Sequence, residues 1–204
     1  MTSPIRFYFD FASTFSYIAS LKIDELASTY GRAVDWRLVS ISHLFEAQKI
    51  VPPPANPAKF KYLRTDFKRS CRLAHLPCCI PAQFPPTVKL ARRVFWRIKR
   101  RDESLAHDFA RAIIKAIFGK GGMVESPGQI AVACAGLEDI TKEDIDAAEQ
   151  DDDAKNALVA ALDDAISDGM IGAPYMVLDE EPFWGADRLS QLERRLAESQ
   201  NREV

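Results

Sequence analysis

The stretch from Phe7 to Tyr17, FYFDFASTFSY, changes its hydrophobic period in the middle, and that change constrains the fold more than any other feature. Phe7 and Phe9 alternate with Tyr8 and Asp10, which is the period of a strand. Beyond it Phe15, Ile18/Ala19, Ile23, Leu26/Ala27 and Tyr30 recur at the spacing of one helical face. The pattern predicts a buried strand that turns once and opens into a helix over 14–30, ended by Gly31. Ser13 sits at the switch, beside the first helical N–H groups, which have no intrahelical acceptor. Its hydroxyl has two possible roles. It can cap the helix by accepting from the backbone of Phe15 or Ser16. It can also belong to an anion or thiolate site at the positive end of the helix dipole.

The rest of the chain alternates between order and punctuation. Val34, Trp36 and Leu38 form a second strand, parallel to the first because a crossover helix joins them. Ser42 is a candidate cap for a short helix, His43 to Gln48. The run VPPPANPAK, 51–59, is too rich in proline for regular structure; it is either a stiff ligand-holding loop or a spacer. A helix over 59–76 follows, with Phe60, Leu63, Phe67 and Leu73/Ala74 as its apolar stripe and Pro77 as its stop. The helix predicted over 87–101 carries seven cations, Lys89, Arg92, Arg93, Arg97, Lys99, Arg100 and Arg101. A nucleic-acid face is one interpretation; a solvated or partner-facing helix is the preferred one, since no nucleic-acid motif accompanies the run. Helices over about 103–118, 129–135, 141–149 and 151–168 come next. Thr141 and Asp151–Asp153 serve as caps and first-turn acids, so they need no metal. After Gly172 the pattern returns to strands. Tyr175–Leu178 is one, Asp179–Pro182 a turn, and Phe183-Trp184 a returning strand. A last helix then runs through Leu189, Leu192 and Leu196.

The order is therefore β-α-β, a long helical block, then β-β-α. Neither end has strands enough for a sheet alone, so residues 1–41 and 169–204 are expected to form one α/β domain, with 42–168 as a helical insertion. The net charge is -2 over 204 residues, so no overall field favours nucleic acid or acidic lipid. No signal peptide or membrane span is visible. The 4 cysteines, Cys71, Cys78, Cys79 and Cys134, form no C-x-x-C pair and suit free thiols in the cytoplasm. Three unclustered histidines argue against zinc.

With these elements in place, the chain resembles the thioredoxin fold with a helical insertion, as in DsbA-like proteins and kappa-class glutathione transferases. It is most similar to the 2-hydroxychromene-2-carboxylate isomerase family. The resemblance is carried by FYFDFASTFSY at 7–17, NPAKFKYLRTDF at 56–67, QFPPT at 83–87, GAP at 172–174 and FWGADRL at 183–189, all in the same order. Thioredoxin-like redox proteins have C-x-x-C where this chain has Ser13 and Ser16. A hydroxyl does not exchange disulfides, which excludes that chemistry here.

The resemblance implies glutathione as cofactor, with Ser13 holding its sulfur as the thiolate. It implies Lys59 at a glutathione carboxylate, where the alternative is a solvated lysine. Ala173 before a cis Pro174 would pair with the cysteinyl part. Ala186 and Asp187 would receive the γ-glutamyl end, where the alternative for Asp187 is an N-cap. Three positions depart from the family: Thr14 for a common proline, Ile50 near the place of an asparagine, and Tyr175 for a small hydroxyl residue. The implied activity is glutathione-dependent isomerisation of a small aromatic or conjugated carbonyl substrate, as when 2-hydroxychromene-2-carboxylate becomes trans-o-hydroxybenzylidenepyruvate in aromatic degradation. The alternatives are kappa-like conjugation of electrophiles and a non-catalytic binding module. Phe11, Phe15, Phe84 and Trp184 would suit a flat ring. A homodimer is implied; a metal, nucleic acid and a membrane are not.

Overall fold

The computed structural model describes residues 3–200; the outermost positions of the expected α/β domain, 1–2 and 201–204, lie outside the described residues. Strand β1, Ile5–Phe9, sends Ile5, Phe7 and Phe9 into the main core, while Tyr8 faces a smaller cluster with Val39, Leu44 and Ala165. The helix expected over 14–30 is two helices, α1 (Thr14–Ser20) and α2 (Ile23–Thr29). Ser20 Oγ donates to the Tyr17 carbonyl at 3.0 Å and the Lys22 N–H to the Ala19 carbonyl at 3.0 Å. These shorter-range bonds interrupt the helical ladder. Gly31 follows α2 with φ 65°, a left-handed stop as expected. Strand β2, Val34–Leu38, lies parallel to β1, Ile5 opposite Val34 and Phe9 opposite Leu38.

Helix α3, Ile41–Ala47, starts two residues before the predicted His43, and Ser40 rather than Ser42 flanks it. Neither serine caps it; the Ile41 N–H donates to Asp10 Oδ2 at 2.8 Å. The proline run contains a 3₁₀ turn, Pro53–Ala55, and Asn56 then caps α4, Pro57–Leu73, accepting from Ala58 and Lys59 at 3.1 Å. Lys59 therefore lies in the first turn of a helix, not in the loop, because Pro57 at the first helical position starts it early. Within α4 Phe67 and Cys71 are buried, while Leu73, expected on the apolar stripe, is 83 % exposed at the helix end.

Helices α5 (Lys89–Lys99), α6 (Glu103–Phe118), α7 (Pro127–Ala133), α8 (Lys142–Ala147) and α9 (Asp152–Ser167) complete the central block. Thr141 and Asp151 cap α8 and α9 with their side chains, as expected. The α5 cations are mostly engaged inside the chain. Arg93 reaches the Glu149 carbonyl, Arg97 and Arg100 bind Asp151, Lys99 binds Asp35, and Arg101 binds Asp144. The partners of this helix are thus acidic positions of its own fold. Burial would raise the Asp35 carboxyl, but Lys99 and Arg37 outweigh it and hold the group below its ordinary range.

Strand β3, Tyr175–Leu178, runs antiparallel to β1, and β4, Glu181–Trp184, antiparallel to β3. Asp179 and Glu180, at φ 48° and 67°, make a two-residue hairpin turn, so the returning strand begins at Glu181, ahead of the predicted Phe183. A 3₁₀ turn, Ala186–Arg188, leads into α10, Leu189–Gln200, whose Leu189, Leu192 and Leu196 are buried. The sheet order is β2-β1-β3-β4. One core joins sheet to helical block: Phe9 meets Trp36 edge-on at 5.1 Å and Phe95 at 5.5 Å. The registers place the end of β1, the start of β3 and the end of β4 at one edge of the sheet.

Candidate functional site

At that edge a cleft of about 1920 Å³ opens beside the start of α1. Its walls include Ser13, Lys59, Ala173, Ala186 and Asp187, residues that are far apart in the sequence. Pro174 is not on the wall. It sets the geometry from behind: the Ala173–Pro174 peptide is cis, and the Pro174 carbonyl accepts from the Gly185 N–H at 2.9 Å.

Ser13 is 8 % exposed and is the N-cap of α1. Its Oγ accepts from the Ser16 N–H at 3.2 Å and donates to the Ala173 carbonyl at 2.9 Å. The capping role is therefore real, and the hydroxyl also faces the cleft. Its single proton rests on Ala173, and a ligand anion at this point competes for it. The Ala173 N–H takes no acceptor among the described residues.

Across the cleft, Asp187 is exposed and is not a cap: Gly185 holds that position and no side chain bonds there. Gly185 needs its freedom, with φ 107° and the Asp187 carboxylate folded so closely over it that a Cβ would meet Oδ1 at 2.4 Å. The N–H groups of Ala186 and Asp187 have no backbone acceptor among the described residues, as at any helix start. Lys59 is exposed, and its ammonium has no carboxylate partner among them.

Phe15, Phe84 and Trp184 line the cleft, as does Ile50. Phe11 does not; it is fully buried against Phe9 and Phe109, because its side chain continues the core face of β1. Tyr175 also points away, and its hydroxyl donates to the Asp168 carbonyl at 2.9 Å behind the sheet.

Asp10, beneath the cleft, and Arg92, on its wall, were not singled out by sequence. Asp10 has no exposed surface, and its carboxylate accepts four bonds. They come from Ala12 N at 3.2 Å, Ile41 N at 2.8 Å, Arg92 Nε at 3.0 Å and Arg92 Nη2 at 2.6 Å. Ser13 N in turn donates to the Asp10 carbonyl at 3.0 Å. A carboxylate in an aromatic strand demands a cation, which is a usable signal; which of seven cations supplies it is not written in the spacing.

No cysteine lines the cleft. Burial pushes the Cys71 thiol up to about 12, helped by neighbouring Cys78, and burial pushes Cys134 to about 12 as well. Only Cys78 is exposed. Iodoacetamide at neutral pH is expected to modify Cys78 first, with Cys71 and Cys134 at least ~10-fold slower until the chain unfolds. Peptide mass mapping over time checks this; early label on Cys71 contradicts it.

Among the described residues no helix is long and apolar enough to cross a membrane. The profile of the DSBA-like thioredoxin domain matches residues 4–197. A 2-hydroxychromene-2-carboxylate isomerase of Sphingobium xenophagum is 28% identical over 96% of this chain and 99% of its own length. Glutathione s-transferase kappa 2 of Caenorhabditis elegans is 24% identical over 95% of this chain and 92% of its own. A solved 2-hydroxychromene-2-carboxylate isomerase structure superposes with a TM-score of 0.82 at 24% identity, covering 98% of this chain and 97% of that one, and shows the same fold. The named relatives are an isomerase and a transferase, which places the chain among enzymes. With the β2-β1-β3-β4 sheet, the cis Pro174 and a profile match along nearly its whole length, the chain belongs to the DSBA-like thioredoxin domain family.

Proposed function

We propose that the chain is a glutathione-dependent isomerase, acting on a conjugated carbonyl compound like the one its isomerase relatives are named for. The observation that carries this reading is Ser13: a nearly buried hydroxyl at a helix start, in the cleft, where thioredoxin-like redox proteins carry a reactive thiol. Bound glutathione supplies a thiolate that adds reversibly to the substrate, allowing bond rotation before it is expelled. The donor set suits the tripeptide. The open Ala173 N–H is an edge for its cysteinyl backbone. The N–H groups of Ala186 and Asp187 suit its γ-glutamyl carboxylate, the Asp187 carboxylate its ammonium, and Lys59 its glycyl carboxylate. Ser13 turns its proton from the Ala173 carbonyl to the sulfur, and the positive end of α1 favours the same charge.

The kappa-class relative supports a second reading, in which the adduct is released and the enzyme is a transferase. Either reading suits a reducing cytoplasm, and a homodimer as in the resembled family.

Calorimetry tests the proposal. Glutathione is expected to bind tighter than about 1 mM, worth roughly 4 kcal/mol. Binding should release protons at neutral pH, while S-methylglutathione, which has no thiol proton, should bind and release none. Equal proton counts for the two ligands, or no heat with either, overturn it.

A further inference from the structure

The buried polar side chains find their partners inside the chain, with one exception. Asp10 and Asp144 hold arginines. Ser16 Oγ accepts from the Asp10 N–H at 3.3 Å, Ser20 Oγ donates to the Tyr17 carbonyl, and Ser40 Oγ meets Ser42 Oγ at 3.0 Å. Ser13 Oγ accepts from Ser16 and donates to Ala173. The exception is Thr14. It is 2% exposed, yet its Oγ1 has no hydrogen-bond partner among the described residues. A hydroxyl taken from water without a partner costs free energy, so its placement needs a cause. Capping is not the cause, since Ser13 already caps α1. Nor does Thr14 bond back to the carbonyl four residues earlier, as a helical threonine can; that carbonyl, of Asp10, accepts the Ser13 N–H.

The cleft supplies one. Among the described residues, the side-chain nitrogen and oxygen atoms that are both sealed from solvent and without a partner are Arg97 Nε and His107 Nε2. Thr14 Oγ1 lacks a partner but is not sealed, and the space that Thr14 borders is the cleft, directly beside Ser13. The two neighbouring hydroxyls differ in the state of their protons. The one proton of Ser13 rests on the Ala173 carbonyl at 2.9 Å and must turn away from it to serve a ligand. The proton of Thr14 is uncommitted.

The geometry points to Thr14 Oγ1 as a second hydrogen-bond donor to the sulfur of bound glutathione, beside Ser13, so that two hydroxyls hold the thiolate; this rests on the glutathione-dependent reading above. When the ligand ionises, the thiol proton goes to the medium. Thr14 keeps its own proton and shares it with the sulfur. A hydrogen bond to a charged acceptor is stronger than one between neutral groups, and Thr14 makes it without first breaking a bond to the protein, which Ser13 cannot do. A proline, common at this place in the resembled family, has neither hydroxyl nor N–H. The second donor is therefore a property of this chain, brought by its departure from that pattern.

The test is a pH titration of bound glutathione, read by the ultraviolet absorbance of its thiolate, with no second substrate present. Thr14→Val removes the hydroxyl and keeps the branched shape; Thr14→Ser keeps the hydroxyl. Thr14→Val is expected to move the midpoint upward, so that the thiolate-to-thiol ratio at a fixed pH falls about 10-fold, as loss of a hydrogen bond to a charged group does. Thr14→Ser is expected to titrate like wild type. S-methylglutathione, which has no thiol to ionise, should bind all three proteins alike. A merely structural Thr14 would weaken both ligands together and leave the midpoint in place. A midpoint unchanged in Thr14→Val overturns the second donor and leaves the glutathione reading standing. An equal shift in Thr14→Val and Thr14→Ser overturns it too, since shape and not the hydroxyl is then responsible. A wild type that binds neither ligand overturns the glutathione reading, and the second donor with it.

Discussion

Replacing Ser13 by alanine is expected to lower turnover at neutral pH by about 10–100-fold while leaving glutathione bound. The size follows from one hydrogen bond. A donor to a charged group contributes about 1.5–3 kcal/mol, and one pKa unit corresponds to about 1.36 kcal/mol, so loss of the hydroxyl raises the bound thiol by roughly 1–2 units. The sign is fixed by which form reacts. The thiolate is the nucleophile, so a higher thiol pKa moves the rising limb of the pH–rate profile upward, and activity recovers as the medium is made alkaline. Lys59, Ala173, Ala186 and Asp187 are untouched, so binding should change little. The variant also loses the cap of α1, where Oγ accepts from Ser16, at a cost of about 1 kcal/mol in stability. That cost lowers the melting temperature without shifting a pH profile, so the two effects are separable. A variant as active as wild type across the whole pH range would remove Ser13 from the chemistry.

What was legible in the sequence follows the range of the interaction responsible. The period change in Phe7–Tyr17 is local, and β1 and α1 stand where it put them. Gly31, Thr141 and Asp151 are local punctuation, and each ends or caps a helix as read. The break between α1 and α2 is local too, but it turns on whether one serine hydroxyl bonds back to the preceding turn, a choice worth too little to show in a pattern. The start of α3 was misjudged for a different reason. Its first N–H is satisfied by Asp10, from another element, where neighbouring serines suggested themselves. Lys59, Ala173, Ala186 and Asp187 were found through a resemblance and not from periodicity, and the fold does bring them to one cleft. Arg92 was lost among its neighbours because an ion pair between a strand end and a helix 82 residues away leaves no spacing to read.

That same pair is where the largest loss of stability is expected. Asp10→Ala leaves the Arg92 guanidinium nearly buried without a counter-charge, and strips the Ala12 and Ile41 N–H groups of their acceptor. Breaking a buried pair from one side costs about 3–5 kcal/mol, out of a total that is about 5–15 kcal/mol for a native domain. For a chain of this size, roughly 2–4 °C per kcal/mol predicts a fall in Tm of about 6–20 °C. Screening should matter little, since the carboxylate has no exposed surface, so the loss should persist at high salt. Asp10→Asn is expected to fall between: it keeps one acceptor oxygen but turns an NH₂ group toward donors that already point inward. In the double variant Asp10→Leu with Arg92→Met, neither charge is stranded, so the combined loss should be smaller than the sum of the single losses, a coupling that thermal unfolding of all the variants measures. If Asp10→Ala melts within about 2 °C of wild type, a shift worth roughly 1 kcal/mol or less, the pair does not hold the Ser13 turn. The start of α1 then owes its position to the aromatic core beneath it, where Phe9 and Phe11 pack edge to face at 5.7 Å.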